Sequence, residues 1–287
     1  GADAGDGFTA LPPGWDAFAQ AFGLRIDQQA TDRRTGFTAE AYGGQMGIDR
    51  RSPDGTRRLG LGLAAVSNDL AWARSRGEVE EDLLRVGPYV AWRPAGADWF
   101  LDGSVTYGFH HYQTDRAVPT LGQTATATFN GHDVACYAGG GWDVPLGPVT
   151  VTPEASVQYL YLVREAYDES GPAGLDFARQ ESNLVQTHLG GRVRARLDVR
   201  GVTLEPTAYL GWRHRLVTDT EDLDTGFVAG SNRFRIDAVG PQRDELVGGA
   251  GLRARIAEHV SAFVQYDGSW SSGRDTQSVM IGVKFEF

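Results

Sequence analysis

The residues best suited to acid–base or metal chemistry are the adjacent His110 and His111, which are followed by a carboxylate at Asp115. Imidazole groups of this kind bind transition metals and transfer protons. Successive side chains of a strand point to opposite faces, so two neighbouring histidines cannot reach one ligand without a bulge. We therefore interpret both histidines as amphipathic residues at the rim of a strand, and not as a catalytic or metal site.

No other spacing in the chain indicates an active site. The sequence lacks the GxSxG, HExxH, GxxxxGK and GxGxxG spacings of common hydrolase, metalloprotease and nucleotide sites. The single cysteine, Cys136, excludes an internal disulfide and a CxxC metal site. A net charge of -10 argues against nucleic acid as a partner. The sequence predicts a protein that is not an enzyme and that uses no cofactor or metal.

The strongest pattern in the chain is two-residue alternation, which places apolar and polar side chains on opposite faces of β-strands. The last eleven residues show it most clearly, because Ser278, Lys284 and Glu286 lie on the face opposite an apolar set. That set is Val279, Ile281, Val283, Phe285 and Phe287. No stretch reaches the roughly 20 apolar residues that a membrane-spanning helix needs. The alternation predicts an all-β protein.

Two segments in the second half of the chain carry several charges on one face. Residues 184–199 place three arginines and His188 opposite an aliphatic face, and residues 202–214 repeat the arrangement. Three arginines on one side of a strand need water, so we predict a barrel with a polar lumen and an apolar outer wall. A charge network across neighbouring strands would keep the lumen wet and hold the register. Its predicted members are Glu154, Arg192, Arg194, Glu205 and Arg213.

The alternating segments predict twelve antiparallel strands in an up-and-down transmembrane β-barrel, and an even number fits single-chain bacterial barrels. Their predicted bounds are 15–25, 37–49, 58–66, 84–92, 99–112, 124–143, 149–162, 184–199, 202–217, 244–256, 260–269 and 277–287. A soluble barrel would alternate as well, with its apolar face inward, and periodicity alone does not separate the two cases.

The predicted connections alternate between short and long. The short ones are rich in Gly and Pro, as tight turns require, and include Ser52 to Gly55, Arg93 to Asp98 and Pro145 to Pro148. The long ones are predicted at residues 67–82, 164–182 and 218–242. Outer-membrane barrels typically have short connections at one rim and long connections at the other. We therefore expect the long connections to be extracellular and both termini to be periplasmic.

Several strands resemble those of one family. GGQMGIDRR at Gly43 to Arg51, WFLDGSVTYGFHHY at Trp99 to Tyr112, LEPTAYLGWRH at Leu204 to His214 and FVQYDGSW at Phe263 to Trp270 look like strands of the autotransporter translocator domain. The resemblance extends over nearly the whole chain from Trp15 onward. It implies an outer-membrane barrel of a Gram-negative bacterium that takes part in type V secretion.

The ending VKFEF resembles the outer-membrane targeting signal of that family. The signal would consist of Val279, Ile281, Val283, Phe285 and Phe287. An amphipathic strand with a free edge can be bound by β-augmentation, so the resemblance implies recognition by periplasmic chaperones and by the barrel-assembly machinery.

The resemblance also implies an N-terminal passenger, exported to the cell surface by a monomeric barrel in outer-membrane lipid. Family members carry a helix that threads the lumen, whereas residues 1–14 are too short and too rich in helix breakers to form one. The start of the chain also lacks the features of a signal peptide. We expect a fragment in which residues 1–14 are a linker to an absent passenger and in-pore helix, and residues 15–287 are the barrel.

Two alternatives to the translocator stay open at this point. One is a porin or other pore-forming barrel for small solutes, and the other is a soluble β-rich binding protein. A translocator gene would encode a signal peptide and a long passenger ahead of Gly1. A soluble protein would stay in solution without detergent.

Overall fold

The chain folds into twelve long antiparallel strands, and each strand is hydrogen-bonded to the next. The computed structural model describes residues 14–30, 35–73, 76–171, 173–220, 223–228, 233–236 and 242–287. The long strands are β1 (Trp15–Gln28), β2 (Phe37–Arg51), β3 (Arg57–Trp72), β4 (Gly77–Trp92), β5 (Trp99–Val118), β6 (Gln123–Trp142), β7 (Val149–Arg164), β8 (Gln180–Ala195), β9 (Val202–Thr220), β10 (Asp244–Ala257), β11 (Val260–Ser271) and β12 (Arg274–Glu286).

The sheet closes into a barrel because the last strand pairs with the first. β12 runs antiparallel to β1 from Asp16 opposite Glu286 to Gln28 opposite Arg274. Each remaining neighbour is the next strand in the sequence. The predicted twelve-stranded antiparallel barrel is therefore confirmed, and closure removes the free edges that would otherwise invite aggregation.

The two rims of the barrel differ. Gly14 and Phe287 lie at one rim, here called the termini rim, where residues 52–56, 93–98, 143–148, 196–201 and 258–259 connect the strands. At the opposite rim, here called the loop rim, the connections are residues 29–36, 73–76, 119–122, 165–179, 221–243 and 272–273. The two longest connections thus lie together at the loop rim.

Turn chemistry fixes the hairpins of the termini rim. A short strand, Leu197–Val199, pairs with the start of β9 through a two-residue turn. Both turn residues, Arg200 and Gly201, have positive φ angles of 52° and 85°, as a type I′ hairpin turn requires. In the turn at residues 52–56, hydrogen bonds from Ser52 and from the backbone and side chain of Thr56 lower the pKa of Asp54 to about 2.

The apolar face of the strands points outward. Leu59 is 64% exposed and Leu210 is 59% exposed, whereas the inward-facing Asp16 and Asp133 are 2% and 1% exposed. A soluble barrel would show the reverse arrangement. The alternative of a soluble β-rich binding protein is therefore wrong.

The prediction of a long connection at residues 67–82 is also wrong. β3 and β4 continue through it as a hairpin, and only residues 73–76 connect them. The polar side chains that indicated a loop are bonded across the ladder instead. Ser67 Oγ donates to Asp82 Oδ1 at 2.9 Å, and Asn68 Nδ2 donates to Glu81 Oε2 at 3.0 Å.

The two longest connections build a small sheet at the loop rim, here called the outer sheet. Its strands are Tyr167–Asp168, Leu175–Phe177, Leu223–Phe227 and Arg233–Ile236. The Tyr167 ring stacks on Phe129 of β6 at 3.9 Å, and burial raises the pKa of Tyr167 to about 12.

A buried ion pair fastens the outer sheet to the barrel. Glu169 accepts from Arg116 Nη2 of β5 at 2.5 Å and from the backbone N–H of Leu175 at 3.0 Å. Arg116 also donates to the carbonyl oxygen of Ala173 at 2.9 Å. Because charge-assisted bonds of this kind are short and strong, they hold Glu169, Ala173 and Leu175 against the mouth of the barrel.

Candidate functional site: the barrel lumen

The predicted network residues of β7 and β8 face the lumen and form two ion pairs. Arg192 Nη2 lies 3.2 Å from Glu154 Oε2, a contact between two members of the predicted set. Arg194 Nη2 lies 3.6 Å from Asp143 Oδ2, a partner that the sequence did not suggest. Arg93 of the neighbouring termini-rim connection contacts the same Asp143 carboxylate at 2.8 Å.

Arg213 and Glu205, both on β9, lie in different parts of the lumen. Arg213 Nη1 contacts Glu245 Oε2 of β10 at 3.1 Å, and Arg215 contacts the other oxygen of Glu245 at 2.7 Å. Glu205 lies nearer the termini rim, opposite Arg253 of β10, and lines a separate small cavity. The five predicted residues therefore share the lumenal face, but only Arg192 and Glu154 are brought together.

A lumenal cavity of about 590 Å³ is lined by residues from β4 to β10. Four of its lining residues, Arg93, Arg192, Arg194 and Arg213, are here called the arginine wall. Their carboxylate partners leave each arginine partly exposed to the cavity, by 33–48% of its side chain. Such a surface can bind carboxylates and backbone carbonyls of a chain that passes through it.

Asp143 is the carboxylate that anchors the arginine wall at the termini rim. Burial alone would raise its pKa, but hydrogen bonds from Thr152 and Arg93 outweigh burial and hold the pKa of Asp143 below its ordinary value. The Thr152 hydroxyl donates to Oδ1 at 2.6 Å. Asp143 therefore stays ionised and holds the guanidinium groups of Arg93 and Arg194 at the surface of the lumenal cavity.

His188 lies on the same side of the lumen and packs against backbone. Its ring covers Gly190 and Gly211, where a Cβ atom at Gly211 would come within 2.2 Å of His188 Nε2. Glycine at these positions makes room for the imidazole ring. His188 is therefore a packed lumenal residue, and His214, paired with Asp244 at 2.8 Å, lies on the outer face.

The opposite side of the lumen is apolar, which the sequence prediction of a polar lumen did not include. The inward-facing positions of β1 alternate with outward alanines and carry Phe18, Phe22, Leu24 and Ile26. Together with the inward Ala39 and Ala41 of β2 and Ala64 and Val66 of β3, they form the apolar wall. The phenyl rings of Phe18 and Phe22 lie over Gly47 and Gly43 of β2. Apart from polar residues such as Gln20 and the charged residues at the termini rim, the lumen thus has an apolar side on β1–β3 opposite the arginine wall.

His110 lies inside the barrel and not at a rim, so its interpretation as an amphipathic rim residue is wrong. Strand β5 continues to Val118 and carries His110 within the lumen. Its Nδ1 lies 2.5 Å from Glu81 Oε1, and its Nε2 lies 2.6 Å from Asp133 Oδ2. Arg85 contacts the same Asp133 oxygen at 2.5 Å. These four residues are here called the His110 cluster.

The His110 cluster is balanced in charge when the imidazole is protonated. Both ring nitrogens face carboxylate oxygens, and only the imidazolium form donates from both. Two positive and two negative groups then cancel. His111 points to the outer face and contacts Asn130 Oδ1 at 3.0 Å, as the alternation of a strand requires.

The residues of the predicted targeting signal all lie on the outward-facing side of β12 or just beyond its end. Val279, Ile281, Phe285 and Phe287 are 40–57% exposed, and Val283 is less exposed. The backbone of Phe287 joins the first strand, since its N–H donates to the Trp15 carbonyl at 2.9 Å and its carbonyl accepts from Gly14 at 2.8 Å.

The described residues form no helix that is long and apolar enough to span a membrane. No group of three or more His, Cys, Asp or Glu side chains in these residues is arranged to hold a metal ion.

Comparison with known proteins decides the family. The family model described as "Autotransporter beta-domain" matches residues 17–267. The chain belongs to the autotransporter β-domain family. It is therefore an outer-membrane translocator barrel of a Gram-negative bacterium, and the β-domain family is non-enzymatic.

Solved translocator barrels share its fold. The translocator domain of the autotransporter NalP from Neisseria meningitidis matches with a TM-score of 0.77 at 18% identity, covering 96% of this chain and 89% of that chain. The β-domain of the Bordetella autotransporter BrkA matches with a TM-score of 0.73 at 20% identity, covering 96% of this chain and all of that chain.

A curated relative is much longer than the chain. An extracellular serine protease from Serratia marcescens is 25% identical over an alignment of 280 positions that covers 94% of this translocator barrel. The barrel spans about a quarter, 26%, of the length of that protein. Residues 1–13, which belong to the predicted linker 1–14, lie outside the described residues.

Proposed function

We propose that the translocator barrel exports an N-terminal passenger through its lumen to the cell surface. The observation that carries the proposal is the lumen itself, which holds a cavity of about 590 Å³ beside the arginine wall and carries the apolar wall on its opposite side. Family membership supports the same function. The position of Gly14 supports it too, because its hydrogen bond to Phe287 holds the start of the first strand at the termini rim.

The two sides of the lumen favour an amphipathic segment as its occupant. The apolar wall removes apolar side chains from water, which contributes about 25 cal/mol per Å² of area buried. The arginine wall binds carboxylates and carbonyl oxygens on the other side of the same segment. We infer that the segment joining passenger and barrel, the expected in-pore helix, lies with its apolar face toward β1–β3 and its acidic face toward β8 and β9.

We further propose the partners of assembly. Outward-facing Phe285 and Phe287 on the terminal strand are suited to recognition by periplasmic chaperones and by the barrel-assembly machinery before closure, and outer-membrane lipid covers the same rings afterwards. The closed sheet offers no edge for pairing with a second copy, which supports a monomer.

The experiment that tests export is protease accessibility on intact cells. An epitope tag is placed in the passenger, upstream of the segment that joins passenger and barrel, and external protease is expected to remove it. Two control tags in the barrel define its orientation. A tag in residues 93–98 of the termini rim stays protected, and a tag in residues 119–122 of the loop rim is cleaved.

Protection of the N-terminal tag, in cells whose two control tags behave as stated, would overturn the export proposal. Together with ion conductance of the purified barrel, that result would favour the alternative of a small-solute pore.

A further inference from the structure

The contact between β1 and β12 differs from every other strand contact in the barrel. No turn joins these two strands, whereas each remaining pair of neighbours is consecutive in the sequence. Loop length and turn type fix the register of a hairpin. The register between β1 and β12 must therefore be fixed by the side chains of the two strands.

Alternation of apolar and polar residues excludes a slip of one residue but not a slip of two. A one-residue slip turns every side chain to the wrong face, whereas a two-residue slip keeps all of them on their own face and changes only the shear of the barrel. The outward side chains do not discriminate either. Ala17, Ala19 and Ala21 of β1 face a repeating branched or aromatic row on β12, so a slip of two replaces each contact by a similar one.

The inward side chains do discriminate, through a group of charges at the termini rim. Asp16 of β1 is 2% exposed, and its Oδ2 contacts Lys284 Nζ of β12 at 3.0 Å. Arg58 and Arg51 contact the same oxygen at 2.9 Å and 3.2 Å. Lys284 also contacts Glu286 at 2.8 Å. The seam cluster is defined as Asp16, Asp49, Arg51, Arg58, Lys284 and Glu286, three positive and three negative groups.

A two-residue slip of β12 toward the loop rim would break this arrangement. It moves β12 by about 7 Å along β1, since a strand rises about 3.4 Å per residue. Lys284 stands opposite Phe18 in the native register, and a slip would bring either Gly282 or Glu286 to that position. In the first case Lys284 stands directly opposite Asp16 and stays its partner. In the second case Lys284 stands opposite Gln20, about 7 Å from its native place, and the buried Asp16 carboxylate loses its ammonium partner, which is unfavourable.

We propose that the Asp16–Lys284 ion pair excludes the slip of β12 toward the loop rim as the barrel closes. Asp16 is already held by Arg51 and Arg58, which lie on strands joined to β1 through hairpins. The first three strands therefore present a preformed carboxylate site, and Lys284 is the only lysine of the chain. Insertion of its ammonium group positions β12 as it docks.

Disulfide capture on the outer face tests the proposal in a Cys136→Ser background. Ala19→Cys with Val283→Cys reports the native register, because the two are direct partners. Ala19→Cys with Ile281→Cys, or with Phe285→Cys, reports a slip of two in either direction. Disulfides require Cα atoms within about 7 Å, so diagonal pairs react poorly unless the register changes.

The informative variant is Lys284→Met, which removes the charge and keeps the length of the side chain. In it we expect the Ala19–Phe285 pair, which reports the slip toward the loop rim, to react about tenfold faster, the ratio that corresponds to a loss of 1.4 kcal/mol in register preference. Lys284→Arg is expected to restore the native pair. Arg192→Met is the matched control, because it breaks a lumenal ion pair between β7 and β8, which a connection joins.

Each outcome decides the proposal. Failure of Lys284→Met to close, seen as loss of the fast-migrating unboiled band while Lys284→Arg and Arg192→Met keep it, supports the proposal. Normal closure of Lys284→Met with the native pair alone contradicts it. Equal loss in Lys284→Met and Arg192→Met contradicts it as well. None of these readouts depends on export.

Discussion

Replacing both Phe285 and Phe287 with alanine is expected to lower the amount of barrel in the outer membrane while synthesis is unchanged. The expected loss is about tenfold or more, because burying one such ring contributes about 1.5–3 kcal/mol and 1.4 kcal/mol is a factor of ten. The measurement is the heat-modifiable band in isolated outer membranes, compared with the total amount of the chain.

A matched control separates recognition of the terminal strand from general loss of wall hydrophobicity. Tyr107 and Phe109 of β5 form an equivalent outward pair, 47% and 40% exposed beside 40% and 41% for Phe285 and Phe287. Their double alanine variant is expected to assemble nearly normally. Equal losses in the two variants, or unchanged membrane levels of the first, would show that the C-terminal rings are not a targeting signal.

Replacing Asp133 with alanine is expected to destabilise the folded barrel strongly. The substitution leaves Arg85 and His110 inside the lumen without the carboxylate that both contact. Breaking a buried ion pair by removing one partner costs about 3–5 kcal/mol. The measurement is the urea concentration at which half of the barrel loses its fast-migrating unboiled form.

Asp115→Ala is the control for this variant, because Asp115 lies on β5 with an exposed side chain. We expect its midpoint to stay close to that of the unchanged protein. A midpoint for Asp133→Ala that matches the Asp115→Ala value would mean that the His110 cluster contributes little to stability.

The two-residue alternation and the residue types were enough to predict most of the fold. Outward Val279, Ile281 and Phe285 alternate with inward Lys284 and Glu286, so both faces of the last strand could be predicted from the sequence. Strand ends were predicted less well. Ser67, Asn68 and Asp82 are polar, as loop residues are, but their hydrogen bonds across the ladder extend β3 and β4 beyond the apolar band.

The lumen was predictable only in part, because ion pairs depend on register. Arg213 and Glu245 are direct partners, yet the 23-residue connection between their strands hides that register from the sequence. The His110 cluster joins three strands, and its members are far apart in sequence. The apolar wall was missed for another reason. The outward residues at the start of β1 are small alanines, so the larger Phe18 and Phe22 resemble lipid-facing residues although they face the lumen.

Site-specific photo-crosslinking during export tests most directly whether the lumen is the passage. A photoreactive residue is placed at Gln186, which lines the lumenal cavity, or at Leu189, which is 54% exposed on the outer face of the same strand. With a passenger whose export is slowed by a stably folded domain, we expect an adduct with the passenger from position 186 and none from position 189. Export that proceeds without an adduct at position 186, or with equal adducts at both positions, would contradict passage through the lumen.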